Sequence, residues 1–326
     1  MADFELADLT VNINVVDRED YLLACLQSLL ETTPPGPRLN VLFNGSNSGL
    51  IERSSELIDR WPGPSSTIVL EETEPLWKSH QAALDSIRTR FVNFMGDDDI
   101  IFDERLPRII SAFNELTPTP GAVTTFAKRI GPTIDPIRIG SSKDLGPTTI
   151  DEWMALSSEG AMFEMNFSGA VFRTESLHRA GGFAEEFSET ADNRLFTVIG
   201  ATEPVIALPE RSFGYRIHPN SVSSSRFLSQ AQAVRHVAAC ARAVVEGLPE
   251  PTREEFVAAE EADPRRVRIG RDLSARSQMH FRRGAAEMLQ GRPIRGASLV
   301  ALSAAMSPLR FTRSLRNQIG RRGVET

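Results

Sequence analysis

Cysteine is nearly absent from this sequence. Cys25 and Cys240 are the only two in 326 residues. That excludes a disulfide scaffold and a cysteine-built zinc site, and suits two buried thiols in a reducing compartment. Long apolar runs are also missing. The longest weakly polar stretch, Gly296 to Met306, is far short of the ~20 residues that span a bilayer. The opening residues carry Asp3, Glu5 and Asp8, the wrong charge for the start of a secretory signal. A cytoplasmic location follows as the expectation, with the inner membrane face as the one attachment left open. Lysine disappears from Asp263 onward. There, 14 arginines face four acids (Asp263, Asp272, Glu287, Glu325), a net +10 that leaves −17 for residues 1–262 of a chain whose total is −7. So acidic a main region is a poor partner for nucleic acid, whereas the basic tail suits anionic lipid, another subunit or the acidic region itself. With 41% hydrophobic and 24% charged residues, the remainder is ordinary globular composition, which excludes collagen-like, coiled-coil and wholly disordered classes.

The first half alternates strand and helix patterns. Val11, Ile13 and Val15 alternate with Asn12 and Asn14 as a strand, and Asp17 can cap a helix through Leu22, Leu26, Leu29 and Leu30. Pro34 to Pro37 stop it. Leu39–Phe43, Thr67–Leu70 and Phe91–Met95 read as further strands. Helices run through Leu57 and Ile58, along the face of Trp77, His80, Leu84 and Ile87, and through Leu106 to Leu116. Such alternation with short loops means a mostly parallel sheet with helices on both faces, whose ligands bind beyond the carboxyl ends of the strands. Residues 131–149 read as a long loop. Beyond it, Asp151–Leu156, Thr174–Ala180 and Ala191–Ile199 read as helices, and Phe167–Phe172 and Ser212–Ile217 as strands. From about Ser225 only helices follow, at Ala231–Val245, Arg253–Glu261, Arg271–Leu289 and Ile294–Ala305. Arg310 to Arg316 forms a basic amphipathic segment.

The sharpest chemical signal is Asp97-Asp98-Asp99, directly after an apolar strand. Three adjacent carboxylates repel, and a divalent cation is the usual offset; hard oxygen ligands suit Mg²⁺ or Mn²⁺. A solvated acidic turn capping the next helix is the plain alternative. The turn Asn44–Gly49, also after a strand, offers backbone N–H groups and short side chains to a base, ribose or phosphate, or is a simple connection. His218 is a surface or structural histidine unless the fold brings it to the acids, where imidazole could complete a metal site. Asp192 at the start of a helix complements the helix dipole or acts as a general base.

Four blocks, in order over roughly residues 8–225, resemble family-2 glycosyltransferases of the GT-A fold. Val11 to Leu22 is similar to the opening strand and helix start. Phe94 to Ile100 resembles the aspartate metal motif. Phe167 to Arg173, with Gly181-Gly182-Phe183, resembles the acceptor-side block. Ala191-Asp192 and then Tyr215-Arg216-Ile217-His218 resemble the catalytic block and the strand after it. The resemblance implies an α/β GT-A domain at 1–225 and a helical, Arg-rich extension at 226–326. It implies a nucleotide-diphospho-sugar donor near Asn14, Val15, Val16, Asp17 and Asn44, with Asp97 and Asp98 also at the diphosphate. Asp97, Asp98, Asp99 and His218 would ligate Mn²⁺ or Mg²⁺. Asp192 would take the proton from an acceptor hydroxyl in one inverting displacement, with Glu189 as the alternative base. The acceptor would be a glycan, a glycolipid or a small molecule, in polysaccharide, glycolipid or specialised-metabolite synthesis. Peripheral membrane contact through the basic tail and a homodimer stay open.

The sequence departs from the family pattern at several positions. Asn14 stands where proline is frequent, and Asn44 where an aspartate reads uracil, so thymidine and guanosine donors stay open beside uridine. Ala191 replaces the glutamate of the catalytic pair, and Ala184 the aspartate after Gly182-Phe183. Two other readings remain at this level. A sugar-phosphate nucleotidyltransferase would want a Gly-rich basic loop after the first strand, which Asn14 to Asp17 does not supply. A non-catalytic sugar- or nucleotide-binding protein on a degenerate transferase scaffold fits the two alanines.

Overall fold

The computed structural model describes residues 3–16, 19–45, 48–131, 145–216, 227–289 and 291–308. Asp17, His218 and the segment Arg310–Arg316 lie outside them, as does most of the expected 131–149 loop. The first half follows the pattern of the sequence. Strands β1 (Leu9–Val15), β2 (Arg38–Asn44), β3 (Ser65–Leu70) and β4 (Phe91–Gly96) alternate with helices α1 (Glu19–Thr32), α2 (Ser48–Asp59) and α3 (Leu76–Ser86). After β4 come β5 (Ile100–Ile101), α4 (Arg105–Glu115), β6 (Ala122–Ile130), α5 (Ile150–Ser158), β7 (Val171–Arg173), α6 (Thr174–Arg179), α7 (Ala191–Gly200) and β8 (Val205–Arg216). Helices α8 (Phe227–Val245), α9 (Arg253–Ala262), α10 (Arg265–Leu289) and α11 (Pro293–Met306) complete the described chain.

The strands form one sheet in the order β3-β2-β1-β4-β7-β6-β8-β5. Its first four members are parallel, β7 runs against both neighbours, β8 is parallel to β6, and β5 turns back along β8. Side chains alternate across the sheet. Val11, Ile13 and Val15 point to one face, under Leu22, Leu26 and Leu29 of α1 and Ile109 and Phe113 of α4. Leu42, Val92 and Phe94 point to the other, against Leu84 of α3, Leu177 of α6 and Phe196 of α7. On that second face β1 carries two buried asparagines. Asn40 Nδ2 donates to Asn12 Oδ1 at 2.7 Å, and Ser66 Oγ to Asn40 Oδ1 at 3.2 Å, a polar rung across three strands.

The segment expected as a strand from Phe167 to Phe172 pairs only from Val171. Its earlier carbonyls are taken by side chains instead. Asn93 Nδ2 donates to Ser168 O and Ala170 O at 3.0 and 2.6 Å, and Arg105 Nη1 to Gly169 O at 2.9 Å. Strands β5 and β6 have no counterpart in the sequence reading. Among the described residues no helix is long and apolar enough to cross a membrane.

Candidate active site

The parallel register sets the site. Asn14 of β1 lies opposite Gly96 of β4, Val15 opposite Phe43 of β2, and Asn44 opposite Leu70 of β3. The carboxyl ends of four strands therefore share one rim, and the acidic turn sits on it. The turn is tight: Asp99 N approaches Gly96 O at 3.5 Å. A Cβ on Gly96 would stand 2.7 Å from Asp98 Oδ1, so a side chain there would displace the Asp98 carboxylate.

The three carboxyls face different partners. Asp97, only 2% exposed, accepts the Val16 N–H at 2.8 Å, tying the turn to the end of β1. Asp98 is half-buried. Asp99, 3% exposed, turns inward and accepts the Arg216 N–H at 3.2 Å. Burial is the main cause that raises its carboxyl to about 7, with the Asp98 charge adding and the bonds from Ser168 and the Arg216 N–H opposing. Part of the crowding read from the sequence is thus relieved by a carboxyl that readily keeps its proton. Cys25 lies beneath, its thiol 3.7 Å from Gly96 O and pushed well up by burial first and by Asp99 second.

Two arginines that the sequence did not single out brace this turn and the segment beside it. Arg216, at the end of β8, donates from Nε to Asp98 O and from Nη1 to Gly131 O, each at 2.8 Å, and its guanidinium lies 4.5 Å over the Tyr21 ring. Arg105, 1% exposed, donates to Gly169 O and, from Nη2 at 2.8 Å, to Asn93 Oδ1. Burial lowers it to about 10, against the pull of Asp99, so it stays charged at neutral pH. The only sequence signal for Arg216 was its place in the Tyr215–His218 block. For Arg105 there was none, since an arginine in a first helical turn ordinarily reads as surface.

The candidate donor residues lie on the same rim. Asn14 Nδ2 lies 2.8 Å from Ser79 Oγ and 3.0 Å from His80 Nδ1, while its Oδ1 has no hydrogen-bond partner among the described residues. His80 sits among Phe94, Phe167 and Phe183, with ring centroids 5.5, 5.8 and 5.0 Å away. Burial lowers it to about 4, so it is neutral. Asn44 exchanges two hydrogen bonds with the backbone of Glu74, at 2.9 and 2.8 Å. Its amide is thus engaged in holding the 71–75 segment over Gly45, which adopts φ +70° against Thr73 where a Cβ would collide. Asp192 lies half-buried in the first turn of α7, after Thr190. Glu189 is also half-buried, and its Oε2 has no partner among the described residues.

Known proteins fit this geometry. The profile of glycosyl transferase family 2 matches residues 10–143, which hold β1 to β6 and the acidic turn. No curated protein matches the chain. Among solved structures, S. aureus TarS 1–349 in complex with UDP-GlcNAc is 15% identical, covers 95% of this chain and 92% of its own, and superposes with a TM-score of 0.55. The UDP complex of the same protein gives 14% identity, 92% and 90% coverage and a TM-score of 0.54. The mannosyltransferase PcManGT from Pyrobaculum calidifontis, in complex with GDP-Man and Mn²⁺, gives 14%, 98% and 81% coverage and 0.51. Similarity at that identity speaks for the fold, which is of the GT-A kind, and residues 10–143 match the profile of glycosyl transferase family 2.

Proposed function

We propose that this chain moves a sugar from a nucleotide-diphospho-sugar to an acceptor hydroxyl with inversion, aided by a divalent cation. The acidic turn on the rim where β1, β2 and β4 end carries the reading. It lies where parallel sheets bind ligands. The similar solved structures are complexes with UDP, UDP-GlcNAc, or GDP-Man with Mn²⁺, which supports the donor class and leaves the nucleotide open.

The donor set suits a hard cation. Among the described residues, which do not include His218, no three His, Cys, Asp or Glu groups converge on one point. Mg²⁺-type ions are commonly held by one or two carboxylates together with substrate phosphates. Asp98 and Asp97 would be those carboxylates, with His218 as a further ligand. Asp99, turned toward Arg216, would hold the turn's shape. When bound, the cation offsets charge that develops on the leaving diphosphate. Around it, Arg216 and Arg105 keep the turn and the Ser168–Ala170 segment in place. Asn14, Val15, Val16, Asp17 and Asn44 flank the nucleotide, Asn14 offering its unpartnered Oδ1. Asp192 takes the proton of the acceptor hydroxyl as it attacks the anomeric carbon from the face opposite the diphosphate. The GT-A unit is residues 1–225, with 226–326 as a helical, Arg-rich extension, and the acceptor is a glycan, a glycolipid or a small molecule.

The test is a panel of nucleotide sugars incubated with Mn²⁺ and with a chelator, followed by nucleoside diphosphate release and product anomer. Release dependent on metal with an inverted anomer is expected. Equal release with the chelator removes the cation, and a retained anomer removes the single displacement.

A further inference from the structure

We propose that the α10–α11 hairpin is a docking surface for an anionic lipid bilayer, laid lengthwise upon it. The hairpin is one unit. Gly284 and Gly296 bring the two helices close, since a Cβ on Gly284 would stand 2.8 Å from Gly296 O. Ser277 Oγ donates to Ser303 O at 2.8 Å further along the seam.

The start of α10 breaks a local rule. Arg265, Arg266 and Arg268 occupy its first turn, where the helix dipole disfavours cations. Other arginines of the hairpin have acids: Arg271 with Asp263 at 2.7 Å, Arg276 with Asp272 at 2.8 Å, and Arg292 and Arg295 with Glu287 at 3.4 and 3.6 Å. The first three form no ion pair among the described residues, and every residue from 264 to 270 is exposed, including Val267 and Ile269. A sequence that breaks a propensity without an internal return does so at functional surfaces.

The second helix supplies the apolar side. From Gly296 to Met306 it holds no charged residue. Ile294, Ala297, Ala301, Leu302 and Ala305 recur at helical spacing and are all exposed, Ile294 by 84%. Over residues 264–308, nine arginines face two acids, a net +7 within a chain of −7. Apolar area along one helix, with arginines at the start of each helix of the hairpin, is the composition that lies in a membrane interface, and the charge selects anionic headgroups. The hairpin also touches the rest of the chain through Arg282. Arg282 stacks 4.8 Å over Phe227 of α8, and its charge reaches Arg129 near the end of β6.

The test is flotation of the full chain with phosphatidylcholine vesicles and with phosphatidylcholine–phosphatidylglycerol vesicles. Binding to the second kind only, weakening with salt, is expected. The triple variant Arg265→Glu, Arg266→Glu, Arg268→Glu should reduce that binding on the order of 10²-fold, taking ~1 kcal/mol per arginine near the surface. Because glutamates suit a helix start, this variant keeps its fold, checked by circular dichroism and by unchanged donor turnover without vesicles. Ile294→Ser with Leu302→Ser should weaken binding with its salt dependence intact. The proposal is overturned if the wild type stays unbound at low salt, if it binds both vesicles equally, or if the triple variant binds as the wild type does. Self-association that disappears in the Ser variant, without vesicle binding, would overturn it in favour of a contact between copies.

Discussion

His80 should make the fold around Asn14 sensitive to acid. Its ring is enclosed by Phe94, Phe167 and Phe183 and stands 3.0 Å from Asn14 Nδ2 and 2.8 Å from Leu76 O. Burial lowers its titration from 6.5 to about 4. Folding therefore favours the neutral ring, and the unfolded chain binds the proton first. The stabilisation is complete above 6.5 and is lost as the pH falls from there to about 4. At 1.36 kcal/mol per pH unit the interval is worth about 3 kcal/mol. Urea unfolding of the wild type and of His80→Gln, followed from neutral pH down to about 4, isolates the contribution. The variant should start less stable, because the ring contacts are reduced, yet lose about 3 kcal/mol less over that interval. Parallel stability curves for the two proteins would refute the reasoning, since the ring would then titrate alike in both states.

Calorimetric titration of Asp98→Ala with a nucleotide sugar should show donor affinity that no longer responds to Mn²⁺; an unchanged metal effect would take Asp98 out of the cation's shell. Asp192→Asn should bind donor as before and transfer sugar slower by ~10²-fold or more, and near-normal turnover would pass the role of base to Glu189. Arg105→Met should cost about 1–3 kcal/mol in chemical denaturation, because Gly169 O and Asn93 Oδ1 lose a charged donor while relief of a buried charge offsets part of the loss. A more stable variant would contradict it. Gly169→Ala should destabilise by about 1–3 kcal/mol, read as a lower unfolding midpoint, because the methyl enters the Phe213 ring. An unchanged midpoint would mean that the 168–170 segment yields easily.

What could be read without coordinates was what periodicity encodes. Strands β1 to β4 alternate or run apolar between turn residues, so their ends, and with them the place of the acidic turn, were legible. Element starts were less so: β8 begins at Val205, well before the expected Ser212, and α10 at Arg265 rather than Arg271. The segment before Val171 has strand composition, yet Asn93 and Arg105 claim its carbonyls, a competition between partners 64 to 77 residues apart that no local pattern contains. The same limit applies inside the triplet. Three consecutive aspartates have one composition and one spacing, but two ways to relieve their repulsion, a shared cation or a retained proton. Which carboxyl takes which depends on the strand that closes over the turn. Arg216 arrives from β8 with its N–H on Asp99 and its Nε on Asp98 O, and so turns one acid into the protein and leaves its neighbour half-exposed on the rim. Sequence marked the place where charge is concentrated; the far strand decides which of those carboxyls is buried and which stays on the rim.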